Sequence, residues 1–284
     1  VYQIGQKYRD ELRAKSGVMR GREFGMKDMY SFHTTQEDFD NFYETAKKAY
    51  LKIFKRVGLD TKVTEASGGN FTEKLSYEFM VLTSAGEDDI LYCEECTHCA
   101  NVEVSKVPEG GDCPKCGKGK LKKGRASEVG NVFDLGQKYP KNFEYTYTDQ
   151  NGEAQTPIVG CYGIGTTRLI GTIVEALAND QGIIWPESVA PFRVHLLSLG
   201  EDEAIIVEAN KVYDTLVKNN IEVLFDDRTG LSAGEKFADA DLLGIPFRAV
   251  VSQRSMKEDG IELKKRTEEK GQVVSLDELL VLLK

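Results

Sequence analysis

The chain has 284 residues, of which 40% are hydrophobic and 29% charged, and its formal net charge is −9. This is the composition of a globular protein of about two domains, and the acidic balance argues against a protein that coats DNA or RNA non-specifically, because such binding needs a basic surface. No apolar run approaches the roughly 20 residues of a membrane span, and no basic-then-apolar leader opens the sequence, which predicts a cytoplasmic protein without membrane or DNA contacts.

The first segment predicts two antiparallel strands joined by a basic loop. Its opening residues read YQIGQKYRDE, and Arg9 and Glu11 are two apart, so both project from one face of a strand. A second strand brings Arg20 and Phe24 to the same surface. Guanidinium groups bind phosphates, a carboxylate can accept the amino group of adenine, and a phenyl ring can stack on a base. The set indicates a nucleoside triphosphate site, although a hairpin with ordinary surface salt bridges also explains it.

A long amphipathic helix follows these strands. Thr35 and Asp38 form a capping-box pattern at its start. Apolar residues then recur at helical spacing over about six turns, namely Phe39, Phe42, Tyr43, Ala46, Tyr50, Ile53, Phe54 and Val57. Such a stripe is typical of a helix that packs on a sheet, and we interpret it as architecture.

Four cysteines form two close pairs with 16 residues between the pairs: Cys93, Cys96, Cys113 and Cys116. Each pair encloses two residues, a spacing that suits thiolates around a tetrahedral Zn²⁺, whereas disulfides are not expected in the cytosol. We predict a structural zinc in a knuckle-like insert over about 91–124, with Cys99 as a spare thiol and His98 as a weaker alternative ligand. Without zinc, the pairs would be a reduced remnant of a knuckle. The basic run that follows (KGKLKKGR) is either a solvated face or a local nucleic-acid patch.

The segment GCYGIGTTR, 160–168, places three glycines before an arginine at the predicted start of a helix. Glycines let the backbone approach a ligand or a neighbouring strand closely, and Arg168 can lie flat on a purine. The segment is neither a Walker phosphate loop nor a Rossmann fingerprint. As a lone glycine cluster it is a weak signal.

The pattern changes near residue 190, where alternating strands and helices begin. An apolar strand (FRVHLLSL) precedes a helix that starts at about Glu203, and Ser232 with Glu235 forms a capping box for a helix that ends before Gly244. Further short strands lead to a terminal helix capped by Ser275 with Glu278. We predict a small α/β domain with a mostly parallel sheet over 191–284.

Taken in this order, the segments resemble a class II aminoacyl-tRNA synthetase. YRDE with Arg20 and Phe24 resembles motif 2 of that class, and GCYGIGTTR resembles its motif 3. REFGMKDMYSFH, 22–33, is similar to the bacterial type of prolyl-tRNA synthetase, and DDRTGLSAGEKFADADLLGIPFR and IELKKR are similar to the anticodon-binding domain of that family. The resemblance implies an α/β (α+β) protein, with part of a class II catalytic domain built on an antiparallel sheet over 1–190 and an anticodon-binding domain over 191–284.

The resemblance also implies the reaction and the residues that perform it. ATP with Mg²⁺ would activate proline as prolyl-adenylate, and the prolyl group would pass to tRNA(Pro). Arg9 would contact the α-phosphate and the substrate carboxylate, Glu11 the adenine and Arg20 the γ-phosphate. Phe24 and Arg168 would enclose the base, and Arg9, Arg20 and Arg168 are the predicted catalytic residues. The full set for ATP is Arg9, Glu11, Arg20, Phe24, Gly163, Gly165 and Arg168.

Two further sets follow from the same resemblance. The predicted proline pocket comprises Arg9, His33, Glu128, Phe133 and Cys161. The predicted anticodon contacts are Arg228, Glu262, Lys264 and Arg266. Asn131 and Tyr77 stand where the family has histidine. These two differences affect the predicted contacts to proline and not those to ATP.

Two elements of the family are not recognised in these 284 residues. Motif 1, which builds the dimer interface of a homodimeric parent enzyme, is one, and we leave open whether the chain catalyses alone. The editing domain that many bacterial members carry is the other, so we predict no hydrolysis of alanyl-tRNA. The alternative function is a non-catalytic, synthetase-like protein that binds tRNA or a protein. A zinc-ribbon nucleic-acid module explains only the cysteines.

Overall fold

The computed structural model describes residues 1–284 and contains two compact units, Val1–Ala176 and Leu177–Lys284. Sequence analysis placed residues 177–190 in the first domain, whereas they fold with the second unit. The amide of Ile183 donates to the carbonyl of Leu242 at 3.1 Å, and the indole of Trp185 donates to the carbonyl of Leu243 at 3.1 Å. These hydrogen bonds tie the segment to the second unit.

The first unit is an eight-stranded sheet with the strand order β1-β2-β10-β7-β4-β3-β6-β5. Its strands are β1 (Tyr2–Tyr8), β2 (Glu23–His33), β3 (Lys62–Ser67), β4 (Leu75–Leu82), β5 (Asp88–Cys93), β6 (Cys99–Asn101), β7 (Leu121–Gly136) and β10 (Ile158–Gly165). A separate two-stranded ribbon comprises β8 (Tyr147–Thr148) and β9 (Ala154–Gln155). Apart from a single parallel bridge between β3 and β6, all pairings are antiparallel.

Three helices complete the first unit: α1 (Gln36–Arg56), α2 (Lys138–Asn142) and α3 (Thr166–Leu177). The predicted cap of α1 is confirmed, because the hydroxyl of Thr35 accepts from the amide of Asp38 at 3.2 Å. Five residues of its apolar stripe are buried, namely Phe39, Tyr43, Ala46, Tyr50 and Phe54. The buried face is narrower than predicted, since Phe42 and Ile53 remain 37% and 38% exposed at its borders.

The hairpin β1–β2 ends earlier than the sequence predicts. The ladder stops at the pair Tyr8 and Glu23, so Arg9, Glu11 and Arg20 lie in the connecting loop, not on strands. The reason is local hydrogen bonding: the amide of Glu11 donates to the carbonyl of Arg9 at 2.8 Å, which turns the chain out of the ladder. A 3₁₀ turn, Gly17–Met19, then buries Met19.

The second unit is built on a five-stranded sheet with the order β12-β11-β13-β14-β15. The strands are β11 (Val194–Leu199), β12 (Val223–Asp226), β13 (Phe247–Ser252), β14 (Ile261–Lys265) and β15 (Gln272–Val274), and the helices are α4 (Glu203–Lys218), α5 (Ala233–Leu243), α6 (Gln253–Lys257) and α7 (Leu276–Leu283). The capping boxes predicted at Ser232 and Ser275 are both confirmed. Gly244 ends α5 in the left-handed conformation, with φ 69°.

The prediction of a mostly parallel sheet holds for three of these five strands. β12, β11 and β13 are parallel, because whole helices connect them. β14 and β15 are antiparallel to their neighbours. Since only the five-residue helix α6 separates β13 from β14, that connection is too short for a parallel crossover. The predicted α/β fold class is otherwise confirmed.

No helix in the chain combines the length and apolar character that a membrane crossing requires.

Candidate functional site

One cleft on the first unit gathers every residue that the sequence predicts for ATP. It is lined by Arg9, Glu11, Arg20, Phe24, Gly163, Gly165 and Arg168, together with Met19, Glu128, Asn131 and Thr167 among others. These residues come from the β1–β2 loop, from β2, β7 and β10, and from the start of α3. The antiparallel pairing of β10 with both β2 and β7 brings the segments together. Segments about 140 residues apart in the sequence therefore share one cleft.

The ring of Phe24 is already covered by a cation in this structure. The guanidinium carbon of Arg9 lies over it, 4.9 Å from the ring centroid. This contact shows that the face of Phe24 is accessible to a flat group. The backbone at Gly163 is also tightly placed, since a Cβ there would lie 2.6 Å from the Cε of Met26 and 2.8 Å from the Oδ1 of Asn131. A larger residue would displace the wall of the cleft.

Arg168 is held at the cleft by two elements. Its Nε donates to the carbonyl of Met19 at 2.9 Å, and its Nη1 lies 3.3 Å from the Oε2 of Glu128. Burial raises the pKa of Glu128, and the charge of Arg168 acts against that rise. Neighbouring Glu78 has its pKa raised to about 8, mainly by burial and then by repulsion from Glu128. Glu78 and Glu128 therefore lie in a poorly hydrated environment.

Arg20 is clamped between two carboxylates. Its Nε donates to the Oε2 of Glu11 at 2.9 Å, and its Nη1 donates to the Oε2 of Glu87. Lys15, from the same loop, lies 3.3 Å from the other oxygen of Glu87. Glu11 has a lowered pKa, because it accepts from the amide of Arg13 and from Arg20. The cation predicted for the γ-phosphate thus already has anionic partners.

Sequence reasoning missed Glu87. It lies in the turn between β4 and β5, 67 residues from Arg20. Its position is rigid because Gly86 lies against β7, where a Cβ would be 2.2 Å from the carbonyl carbon of Ala126. Arg125 also donates to the carbonyl of Gly86 at 2.9 Å. No spacing or motif in the sequence links Glu87 to the loop, so only the fold could reveal it.

The predicted proline residues divide between two places on one face of the sheet. Arg9 and Glu128 line the cleft. Cys161 lines an apolar recess, whose other residues include Tyr30, Phe32, Phe71, Tyr139 and Val159. Phe133 packs beside that recess, with its ring centroid 5.1 Å from that of Phe71. Cys161, Gly163 and Gly165 alternate along β10 and so face the same side. Burial raises the pKa of Cys161 to about 11, so its thiol is neutral.

His33 is not brought together with Phe133 and Cys161. Its imidazole lies on the opposite face of β2, beneath α1, and its ring centroid is 5.5 Å from that of Phe39. The ring nitrogens bond to the Oδ2 of Asp38 at 2.5 Å and the Oγ of Ser31 at 2.8 Å. The physical reason is strand alternation, because Ser31 and His33 share a face while Tyr30 and Phe32 share the other. His33 therefore supports the start of α1, and we remove it from the residues predicted for proline.

The four paired cysteines form one cluster. Their Sγ atoms all lie within 4.8 Å of one another, with 3.8 Å between those of Cys93 and Cys116 and 3.6 Å between those of Cys96 and Cys113. Zn–S bonds of about 2.3 Å in a tetrahedron imply S···S separations of about 3.8 Å, and both distances are too long for a disulfide. The spare Cys99 is buried elsewhere and accepts from the hydroxyl of Thr64 at 3.2 Å.

The predicted anticodon residues occupy two regions of the second unit. Arg228 follows β12 and forms ion pairs with Asp226 and Asp239, each at 2.7 Å. Glu262 and Lys264 lie on β14, three strands away in the sheet. Arg266 is only 9% exposed.

Arg266 has a structural role that its sequence position did not indicate. Its Nε donates to the carbonyl of Asp241 at 3.2 Å, and its Nη2 donates to the Oδ1 of Asn179 at 2.8 Å. Arg248 lies in the same sheet, and its guanidinium carbon is 4.4 Å from the ring centroid of Phe237. Arg248 pairs with Lys264 across the sheet and so belongs to the same surface.

Comparison with known families covers both units. Residues 1–177 match the tRNA synthetase class II core domain (G, H, P, S and T), and residues 193–284 match an anticodon binding domain. A proline–tRNA ligase of the Wolbachia of Brugia malayi is 40% identical, over 99% of this chain and 68% of that protein. A probable mitochondrial proline–tRNA ligase of Rattus norvegicus is 36% identical, over 97% of this chain and 59% of that protein.

A third relative shows how family members differ in length. The proline–tRNA ligase of Geobacillus sp. (strain WCH70) is 30% identical, over 99% of this chain and 75% of that protein. The two sequences align over 429 positions, although this chain has 284 residues. That relative therefore carries a long segment without a counterpart here. The matches to both domains and to full-chain relatives agree with the motifs and the cleft, and the chain belongs to the proline–tRNA ligase family of class II aminoacyl-tRNA synthetases.

Proposed function

We propose that the cleft around Phe24 and Arg168 binds ATP and that the adjoining apolar recess receives proline, on one continuous face of the sheet. The observation that carries this proposal is that one cleft contains both motif-derived sets, the Arg9, Glu11, Arg20 and Phe24 group and the Gly163, Gly165 and Arg168 group. As a family member, the chain is an aminoacyl-tRNA ligase that charges tRNA with proline at the expense of ATP.

The reaction requires alignment more than acid–base chemistry. A carboxylate oxygen of proline attacks the α-phosphorus of ATP, pyrophosphate leaves, and a ribose hydroxyl of the tRNA end then attacks the prolyl carbonyl and releases AMP. The attack is assisted by groups that hold the reactants in line and neutralise developing charge. We assign to Arg9 the contacts with both the carboxylate and the α-phosphate. Mg²⁺, which the class uses, would be held largely by the phosphates themselves.

ATP binding exchanges existing contacts for new ones. Arg9 leaves the ring of Phe24, whose face then receives adenine, and the guanidinium of Arg168 covers the second face of the base. Arg20 moves its Nη1 from Glu87 to the γ-phosphate, while Glu11 turns toward the amino group of adenine. Because Glu87 is anchored by the rigid turn at Gly86, we expect the loop to move and the turn to remain.

The apolar recess supplies the contacts for proline. A pyrrolidine ring offers apolar surface and no side-chain hydrogen-bonding group, so it suits the ring of Phe133 and the neutral thiol of Cys161. Tyr30 and Phe71 extend the same wall. Arg9 and Glu128, at the end of the cleft nearer the reacting groups, are proposed for the carboxylate and the imino group.

The cysteine cluster fits a zinc ion, and we propose that Cys93, Cys96, Cys113 and Cys116 hold a structural zinc. Four thiolates leave no open position for substrate, so the ion would only stabilise the insert. In the second unit, we propose that Arg228, Glu262 and Lys264 contact the anticodon loop of tRNA(Pro), with Arg266 supporting them from within. A homodimeric parent enzyme and a cytoplasmic location stay predictions.

Proline-dependent ATP–pyrophosphate exchange tests the ATP site. Replacing Phe24→Leu keeps apolar bulk but removes the ring, and we expect the KM for ATP to rise about tenfold, since stacking of a base contributes about 1–3 kcal/mol. Arg168→Lys should have a similar effect, because a lysine cannot lie flat on the base. Phe42→Leu, on the α1 face of the sheet, is the matched control and should leave the KM unchanged.

Two results would contradict the proposal. An unchanged KM in Phe24→Leu would exclude the enclosed base. A folded chain that binds tRNA but shows no exchange with proline, alanine or cysteine, either alone or extended upstream, would favour the non-catalytic binder. The intact cleft favours the enzyme, because a protein that only binds tRNA or another protein has no need of such a cleft.

A further inference from the structure

A cavity of about 380 Å³ lies in the second unit, between the sheet edge at β12 and the C-terminal half of α5. Its walls are largely apolar and include Leu224, Leu242 and Leu243. Leu242 and Leu243 are 60% and 44% exposed, so the cavity opens to solvent along α5. Its volume falls within the range of about 300–1,000 Å³ that is usual for small-ligand sites.

A buried imidazole also lines this cavity. His195 lies on β11 between Leu224 of β12 and Arg248 of β13 in the sheet register. The residue is only 3% exposed, and its Nδ1 has no hydrogen-bond partner in the chain. Burial lowers its pKa, so the ring is neutral at neutral pH. Buried polar atoms normally have partners, and an orphaned one beside a cavity indicates that a ligand supplies the missing bond.

The rim of the cavity offers a cation and a carboxylate side by side. Arg228 donates from Nε and Nη2 to both oxygens of Asp226, at 2.9 and 2.7 Å. These bonds hold the pKa of Asp226 at about 2, so the pair stays ionised and fixes the guanidinium in place. Nη2 also donates to Asp239 at 2.7 Å. Arg228 and Asp239 are both about half exposed. The Nη1 of Arg228 and a carboxylate oxygen of Asp239 can therefore contact a ligand.

We infer that this cavity binds one unpaired nucleobase of the anticodon loop, as a subsite separate from the surface formed by Glu262 and Lys264. A nucleobase combines two apolar faces with donors and acceptors on its edge, which matches leucine walls around an imidazole and an Arg–Asp rim. Three interstrand spacings, about 14 Å, separate β12 from β14, so one base cannot contact both places. The inference rests on the proposed anticodon-binding function of this unit.

Leu242→Trp tests the pocket by filling its mouth from an exposed position. The matched control is Val207→Trp on α4, because Val207 is also 60% exposed and does not line the cavity. The probe is an unmodified tRNA(Pro) transcript, with affinity measured by titration and base accessibility by chemical modification. We expect Leu242→Trp to weaken binding about tenfold, the loss of one stacked base, and to expose one anticodon-loop base to modification. Val207→Trp should bind like the unaltered chain.

Two further variants keep the outcome interpretable. Asp239→Asn changes only the exposed rim, and His195→Leu removes the orphaned nitrogen, so each should weaken binding about threefold. Thermal unfolding shows which variants are folded. Unchanged affinity in folded Leu242→Trp and Asp239→Asn would overturn the inference, as would newly exposed bases only outside the anticodon loop. Lys264→Glu distinguishes the pocket from the anticodon-binding role of the second unit. If only this variant weakens binding, the pocket is excluded and the anticodon-binding role is retained. If no variant weakens binding, both are excluded.

Discussion

At the scale of single residues, the cations that line the cleft all have partners within the chain. Arg20 contacts Glu11 and Glu87, Arg168 contacts Glu128, and Arg9 covers Phe24. Each contact that we propose with ATP would replace an internal one, and the affinity would reflect the difference between them. The internal pairs also keep the charged side chains ordered near their working positions.

Glu78 gives a pH prediction at this scale. Burial raises its folded-state pKa to about 8 from its ordinary value of 4.5, so folding favours the protonated form. The stabilisation by the neutral group is complete at pH below 4.5 and declines as the pH rises toward 8, where the buried carboxyl ionises. Glu78→Gln stays neutral, so we expect its melting temperature to exceed that of the unaltered chain by a margin that widens from pH 5 to 8.

The control for this experiment is Glu109→Gln, an exposed glutamate outside the cleft. Its melting temperature should follow that of the unaltered chain at every pH. A margin for Glu78→Gln that is constant across the range would show that the carboxyl is ionised throughout, and would contradict the prediction.

At the scale of elements, strand alternation sorts the side chains of β2 and β10 into two functions. On one face, His33, Ser31 and Tyr162 bond to one another beneath α1. On the other face, Phe24 lines the cleft and Cys161 lines the apolar recess. A change of one residue in the register would exchange the two sets. The long helix therefore covers one face of the sheet, and the cleft and the recess lie on the other.

The cysteine insert gives a prediction at this scale, because Cys93 ends β5 and Cys113 precedes β7, so a bound ion would join two paired strands. We expect one zinc per chain by elemental analysis. Cys113→Ser should lose the zinc and lower the melting temperature of the first unit, since the metal contributes to folding directly.

Cys99→Ser is the matched control for the zinc site. Cys99 is buried and reduced but lies outside the cluster, so this variant should retain the zinc. Equal zinc content in Cys113→Ser and the unaltered chain, or none in either, would exclude the proposed site.

At the scale of the whole molecule, each unit has its own hydrophobic core. In the second unit, residues of α4, α7 and the sheet form one cluster that includes Val194, Leu196, Val212, Leu216 and Leu279. The first unit buries Phe54, Phe79 and Tyr162 between α1 and its sheet. Because each core forms within its own unit, we expect a substitution in one core to leave the packing of the other unit unchanged.

The accuracy of charging gives a prediction for the molecule as a whole. The pairs of the cysteine cluster are separated by only 16 residues, and these 284 residues divide into two compact units. We therefore expect alanyl-tRNA(Pro) to survive incubation with the chain for as long as it survives in buffer alone. Deacylation measured with labelled alanine checks this, and rapid release of alanine would contradict it.

Features encoded by local pattern were predictable from the sequence. The caps at Thr35, Ser232 and Ser275 depend on residues three apart, and the apolar stripe of α1 depends on helical spacing. The paired cysteines and the motif segments likewise carry their signal within a few residues. Hence the α/β class and the family resemblance could be read from the chain alone, and the residues that the motifs single out line one cleft.

Features that depend on which segments become neighbours were decided only by the tertiary structure. Glu87 meets Arg20 because a turn 67 residues away packs over the loop. Arg266 lies inward to bond Asp241 and Asn179, and His195 borders a cavity that needs β11, β12 and α5 together. Sequence pattern specifies the conformation of each segment, whereas the partners of a charged or polar side chain are set by packing between segments distant in the chain.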